Sequence, residues 1–181
     1  VRELLKLIRC EFFKLKRKKF IPLVIVSAFM FPIPLTYLMT TPSMMERYTD
    51  KADAFDGLFN MVLGYGIQFL LPCIIGILAA ILFFMERDND TFKNLRTIPV
   101  TSTKMVVAKI LLLFLFGIIF CVASTIVTIL CGFRALEVYG IGYKLFLAVE
   151  TGILITAGTL PLIALVVFFS KTYVFSILLC V

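Results

Sequence analysis

Long runs of apolar residues alternate with short polar segments along the whole chain. A transmembrane helix needs about 20 predominantly apolar residues, and four of the runs reach this length. A fifth run has about half of the length that a crossing requires. We therefore expect an all-α integral membrane protein with four complete transmembrane helices and the start of a fifth. The predicted spans are residues 20–41, 58–85, 106–133 and 145–169, and the fifth run is residues 172–181.

The fifth run reaches the end of the sequence at Val181. An apolar helix that stops there is cut in the middle of the membrane. We expect the chain to be truncated at its C-terminus and the natural protein to continue.

Two of the predicted spans contain features that disturb a straight helix. Pro32 and Pro34 lie in the second half of the first span, where proline removes backbone hydrogen bonds and kinks a helix. The second span is longer than a straight crossing, so we expect it to be tilted, kinked near Pro72 or partly outside the bilayer. The polar residues 42–57 between these spans predict an external loop, with or without a short helix.

Residues 1–19 predict a basic amphipathic helix. On a helical projection, its apolar side chains fall within an arc of about 100°. These side chains are Val1, Leu4, Leu5, Ile8, Phe12 and Leu15, and the basic cluster Lys16, Arg17, Lys18 and Lys19 adjoins the first span. Such a helix is suited to lying in the plane of the lipid headgroups. The alternative is a helix that packs on a partner, as in a soluble protein.

Composition and charge agree with this organisation. Hydrophobic residues make up 61% of the chain and charged residues 16%, whereas a soluble domain is about half apolar and a quarter charged. The formal net charge is +7, and 14 of the 18 lysines and arginines lie in residues 1–19, in residues 86–109 or at Lys171. Because basic residues accumulate on the cytoplasmic side, we expect a multi-pass cell-membrane protein with a cytoplasmic N-terminus. The charge therefore indicates topology and not nucleic-acid binding.

Enzymatic chemistry has little support in the sequence. The chain has no histidine, which excludes histidine-based acid–base catalysis, nucleophile activation and metal binding. Its five cysteines form no Cys-x-x-Cys pair, so we predict neither a disulfide framework nor a metal site. An intramembrane hydrolase or transferase usually needs clustered acidic or histidine residues in its spans, and this chain offers Glu150 alone. We expect no catalytic, cofactor-binding or metal-binding residue.

The polar segment 86–105 carries the most information. Asp88 or Asp90 can cap a short helix, and Pro99 ends it by about Thr97. Phe92 and Leu95 then form an apolar ridge, because residues three apart lie on one face of a helix. Such a helix between two spans is suited to docking in a groove of another protein. The alternative is a solvated loop.

The order of residues in this segment resembles the link between the second and third spans of type-2 ABC transporter permeases. The matching residues are Glu86-Arg87, Thr91, Leu95, Pro99-Val100-Thr101, Lys104 and Ala108-Lys109. One departure is Asp90, where many members have glycine before the threonine. The layout also resembles the family, with a basic amphipathic helix, two spans, the polar link and further spans. The family usually has six spans.

The resemblance implies that this chain is the permease subunit of an ABC exporter, and not an enzyme. Two permease subunits, identical or related, would sit on separate ATP-binding subunits, which would hold the ATP and magnesium because this chain has no phosphate-binding loop. Residues 88–98 would form the coupling helix that docks on the ATPase. The expected coupling residues are Glu86, Arg87, Asp90, Thr91, Phe92, Lys93, Leu95, Arg96 and Pro99.

Size and composition most resemble permeases that protect Gram-positive bacteria from lantibiotics and related peptide antibiotics. This resemblance implies a peptide or other hydrophobic substrate. The alternative is an immunity protein that sequesters the peptide in the membrane without pumping it.

Polar residues inside the spans are further candidates. Glu150 in the fourth span and Gln68 in the second could line a substrate path, because buried carboxylates in lipid are costly and tend to be functional. The alternatives are solvation or pairing of Glu150 with Lys144 or Arg134, and an interhelical hydrogen bond from Gln68. The small residues Ala148, Gly152 and Thr156 recur every four positions and predict close helix packing.

Overall fold

Helices joined by short turns make up nearly all of the described chain. The computed structural model describes residues 2–17, 20–88 and 102–169, and these residues contain no strand. The helices are α1 (Arg2–Arg17), α2 (Phe20–Phe29), α3 (Pro32–Met39), α4 (Pro42–Met45), α5 (Lys51–Met61), α6 (Gln68–Asp88), α7 (Ser102–Ala135) and α8 (Ile141–Phe169). A π-helical turn, Val62–Ile67, joins α5 to α6. The all-α fold class is confirmed.

Four helical stretches among the described residues are long and apolar enough to cross a membrane. They are Ile21–Met39, Lys51–Phe83, Thr103–Arg134 and Ile141–Ala164. At about 1.5 Å per residue, the second and third are close to 50 Å long, and the hydrocarbon core of a bilayer is about 30 Å thick. These two helices therefore extend beyond the hydrocarbon on one or both sides. The predicted start of a fifth helix, residues 172–181, lies outside the described residues.

The first span is broken where its prolines predict a kink. Helix α2 ends at Phe29, and α3 begins at Pro32 after a turn at Met30 and Phe31. Pro32 occupies the first position of α3, where its missing N–H costs no helical hydrogen bond. The predicted irregularity is thus confirmed, and it divides the span into two short helices.

The second span differs from the prediction at its start. Residues 51–57, expected in the external loop, already form the first two turns of α5 after the extended residue Asp50. Pro72 lies inside α6 without ending it. The irregularity lies five to ten residues before Pro72, in the π-helical turn that contains Gly64 and Gly66. These two glycines make the backbone of this turn more adaptable than the rest of the span.

Helix α7 is the centre of the bundle. It contacts α1, α2, α3, α5, α6 and α8. Its side chains Leu112, Leu113, Phe116, Phe120 and Cys121 are almost fully buried in one continuous apolar core. Its position therefore sets the positions of the helices that pack around it.

The α7–α8 contact depends on glycine. A Cβ atom built on Gly117 would lie 2.3 Å from Thr156 Oγ1, and one built on Gly152 would lie 3.0 Å from Cys121 Sγ. Ala148, Gly152 and Thr156 are all buried, and Gly152 and Thr156 lie at this contact. The predicted small-residue stripe is confirmed, and it lets the two backbones approach closely, as small residues do in membrane bundles.

We expect Gly152→Leu to separate α7 from α8 and to lower the stability of the bundle by about 1–3 kcal/mol through overpacking. Thermal unfolding of the protein in detergent, followed by circular dichroism, measures the effect. Gly158→Leu is the matched control, since Gly158 lies on the same helix with nothing within 4 Å of its added Cβ. Equal unfolding temperatures for the two variants would contradict the close contact.

Candidate functional site

Most of the predicted coupling segment lies outside the described residues. Residues 89–101, which include Asp90, Thr91, Phe92, Lys93, Leu95, Arg96 and Pro99, belong to this part of the chain. Glu86 and Arg87 fall in the last turn of α6. The structure therefore presents the two helix ends that carry the segment, the C-terminal end of α6 and the N-terminal end of α7.

A buried lysine joins these two helix ends. The Lys109 ammonium donates a hydrogen bond of 2.7 Å to the carbonyl oxygen of Leu82, and its Nζ lies 5.0 Å from the centre of the Phe83 ring. Only 3% of Lys109 is exposed. A buried charge is costly unless it is paired or hydrogen-bonded. The carbonyl and the face of the ring both attract a cation, so the contact fixes α6 against α7.

The N-terminal helix packs on the same half of α7. The Phe12 ring stacks on Phe116 with 6.1 Å between the ring centres, and Leu15 is buried in the core. Ile8 and Phe12 are partly buried against that core, whereas Leu5 is 59% exposed. Part of the predicted apolar face thus packs on α7, and another part is exposed. Its expected place in the headgroup plane stays a prediction, and Lys18 and Lys19 lie outside the described residues.

A second buried lysine lies at the opposite end of the bundle. Lys144, in the first turn of α8, forms an ion pair with Asp56 of α5 and is nearly inaccessible to solvent. Its Nζ lies 4.9–5.0 Å from the ring centres of Phe55, Phe59 and Tyr139. Stacking over aromatic faces stabilises a cation that has lost its water. The cluster therefore ties α5 to the start of α8.

Tyr139 completes this cluster from the turn between α7 and α8. Its hydroxyl donates a hydrogen bond to the other carboxylate oxygen of Asp56. This bond to a charged acceptor raises the pKa of Tyr139 above its usual value. The turn contains Gly140, whose φ of +64° is a conformation that other residues rarely adopt. The backbone of this turn thus places Tyr139 beside Asp56.

Glu150 and Gln68, the candidates for a substrate path, are both exposed within long apolar helices. Lys144, one of the two partners considered for Glu150, pairs with Asp56. Gln68 directly follows the π-helical turn, next to the exposed Tyr65. Neither residue is buried among the described helices, so their role in a path stays a prediction.

The sequence pattern does not mark either buried lysine as a contact between helices. Lys109 and Lys144 lie near the ends of predicted spans, where basic residues are ordinarily found. One signal was present for Lys144: Asp56 comes directly after Phe55 in a segment where apolar residues recur at helical spacing. Nothing in the sequence indicates which backbone carbonyl binds Lys109. Among the described residues, no group of three or more carboxylate or thiol side chains could hold a metal ion.

Comparison with known proteins identifies a family. A family model described as "ABC-2 family transporter protein" matches residues 7–181. No curated protein and no solved structure gives a significant match.

We expect Asp56→Asn to lower the free energy of unfolding by about 1–3 kcal/mol, since it leaves the buried Lys144 charge without its counterion. Thermal unfolding in detergent measures the loss. Asp53→Asn is the matched control, because Asp53 is an exposed aspartate one turn earlier on α5. The double variant Asp56→Asn/Lys144→Met should recover part of the loss, and no recovery would contradict a buried charge at Lys144.

Proposed function

Because the chain belongs to the ABC-2 family of transporter proteins, we propose that it couples ATP hydrolysis on a separate subunit to the export of a peptide or other hydrophobic substrate. It is a membrane-embedded permease subunit of an ABC transporter, and such permeases work with an ATP-binding subunit. The observation that carries the proposal is the family match over residues 7–181, together with four helices suited to crossing a membrane.

Coupling is assigned to the segment between α6 and α7. Closure of the ATP-binding subunits would push this segment and shift the spans between two packings. The partner subunit would hold ATP and magnesium, and Glu86, Arg87, Phe92, Leu95 and Pro99 would belong to the docking surface. The hydrogen bond between Lys109 and the Leu82 carbonyl supports this assignment, because it holds the helices on either side of the segment together.

The distribution of basic residues supports a cytoplasmic location for the coupling segment and the N-terminus. Fourteen of the 18 lysines and arginines fall on this side. A second permease subunit, identical or related, would complete the pathway, and exposed faces of the spans would contact it or lipid. Glu150 would attract a cationic peptide at such a face.

We expect Phe92→Asp combined with Leu95→Asp to abolish association with the ATP-binding subunit, because two charges replace the apolar ridge that docks. Co-purification from membranes measures association, and the membrane-bound amount of permease shows whether insertion is preserved. The matched control is Asn94→Asp combined with Thr97→Asp, which adds the same charge on the opposite side of a helix. Association that survives the first pair would contradict the coupling assignment.

The proposed substrate class is lantibiotics and related peptide antibiotics, by resemblance of size and composition to permeases that give immunity. We expect expression of this chain with its ATP-binding subunit to raise the lantibiotic concentration that a sensitive Gram-positive host survives. A subunit that binds ATP but does not hydrolyse it should remove this protection. Protection that persists without hydrolysis would identify a sequestering protein instead of an exporter.

A further inference from the structure

Lys109 and Leu82 lie at matching distances from the coupling segment. Lys109 is seven residues after the start of α7, and Leu82 is six residues before the end of α6. At about 1.5 Å per residue, the bond between them is roughly 10 Å from both helix ends. It is therefore placed to fix the spacing of the two helices close to the point where the chain leaves them.

The chemistry of the contact makes it a strong link. A helical carbonyl accepts one hydrogen bond within its own helix and has a second lone pair free for another donor. The Lys109 ammonium donates to the Leu82 carbonyl at 2.7 Å and lies beside the Phe83 ring, in a place where water reaches only 3% of the residue. Few water molecules can reach the Lys109 ammonium to replace the Leu82 carbonyl as its hydrogen-bond acceptor. Separating the two helices would therefore leave the charge poorly solvated, which is energetically costly.

The neighbouring packing makes the link part of a rigid unit. Ala108, next to Lys109, is completely buried, and Leu112 and Leu113 fill the core one turn further along α7. On α6, Leu78, Ala79 and Leu82 belong to the same core. A displacement of either helix end is therefore passed to a packed core and is not absorbed locally, because cores have few alternative arrangements.

We propose that Lys109 is a positioning residue for energy coupling: it locks α6 to α7, so that a push on the segment between them moves both helices together. This role rests on the proposed coupling function. Lys109 does not touch ATP or the partner subunit in this mechanism. It keeps the two helix ends at one spacing, so the push moves the spans and does not spread the ends apart.

The test uses the purified permease–ATPase complex reconstituted in sealed proteoliposomes, with a fluorescently labelled lantibiotic as the transported probe. Lys109→Met keeps the aliphatic stem and removes the ammonium, and we expect the ATPase subunit to remain bound. Transport should fall by about tenfold relative to ATP hydrolysis, a size typical of coupling between sites. Lys51→Met is the matched control, because Lys51 is exposed at the far end of the helix that continues into α6. An unchanged ratio of transport to hydrolysis in Lys109→Met would overturn the proposal.

A distance measurement on the purified permease, with or without the ATPase subunit, separates positioning from general stability. Spin labels on Met85→Cys and Met105→Cys, in a background whose native cysteines are replaced by alanine, report the spacing of the helix ends. We expect a narrow distribution of distances in the wild type and in Lys51→Met, and a broad one in Lys109→Met. An equally narrow distribution in Lys109→Met would overturn the proposal.

Lys109→Arg keeps the test decisive if Lys109→Met does not fold. Arginine retains the positive charge and the hydrogen-bond donors. We therefore expect Lys109→Arg to show a narrow distribution of distances and a partly preserved ratio of transport to ATP hydrolysis. A broad distribution of distances together with an unchanged ratio would overturn the proposal. The distance measurement needs no ATPase. If the wild-type permease binds no ATPase, the proposed function fails, while the distances still decide whether Lys109 locks the helices.

Discussion

The hydrocarbon of a bilayer offers no hydrogen-bond partners, and this constraint shapes every part of the structure. Each backbone N–H and carbonyl inside it must be satisfied within the protein, which favours continuous helices. The helices are irregular at Met30–Phe31 and in Val62–Ile67, and these two segments lie next to each other. A Cβ on Gly66 would lie 3.1 Å from Phe31. Each irregular backbone is thus covered by protein on one side, which is where such backbone is tolerated in a membrane.

The same constraint explains how the two buried lysines are bound. A charge removed from water must find an opposite charge, a dipole or an aromatic face. Lys144 contacts Asp56 and three aromatic rings, and the contacts of Lys109 include the Leu82 carbonyl and one ring. Each contact joins two helices at one end of the bundle. The central region, where α7 and α8 meet through glycines, instead depends on close packing.

Much of the architecture could be predicted from the sequence. The positions of the spans follow from the mean hydropathy of consecutive residues, and breaks and close contacts follow from single residues with strict backbone preferences. The four spans, the break before Pro32 and the stripe that contains Gly152 belong to this class. The start of α5 could not be predicted: residues 51–57 contain polar side chains that resemble a loop. They are helical because Ala54, Phe55 and Leu58 are fully buried against the rest of the bundle.

The sequence by itself determined the number and order of the apolar helices and the family resemblance, since both depend on residues close together in the chain. Only the tertiary structure decided which charged residues are buried and what binds them. Lys144 meets an aspartate 88 residues earlier, and Lys109 meets a backbone carbonyl 27 residues earlier. Such contacts depend on how helices cross, and a carbonyl is present at every residue. No local pattern marks the one that a lysine will reach.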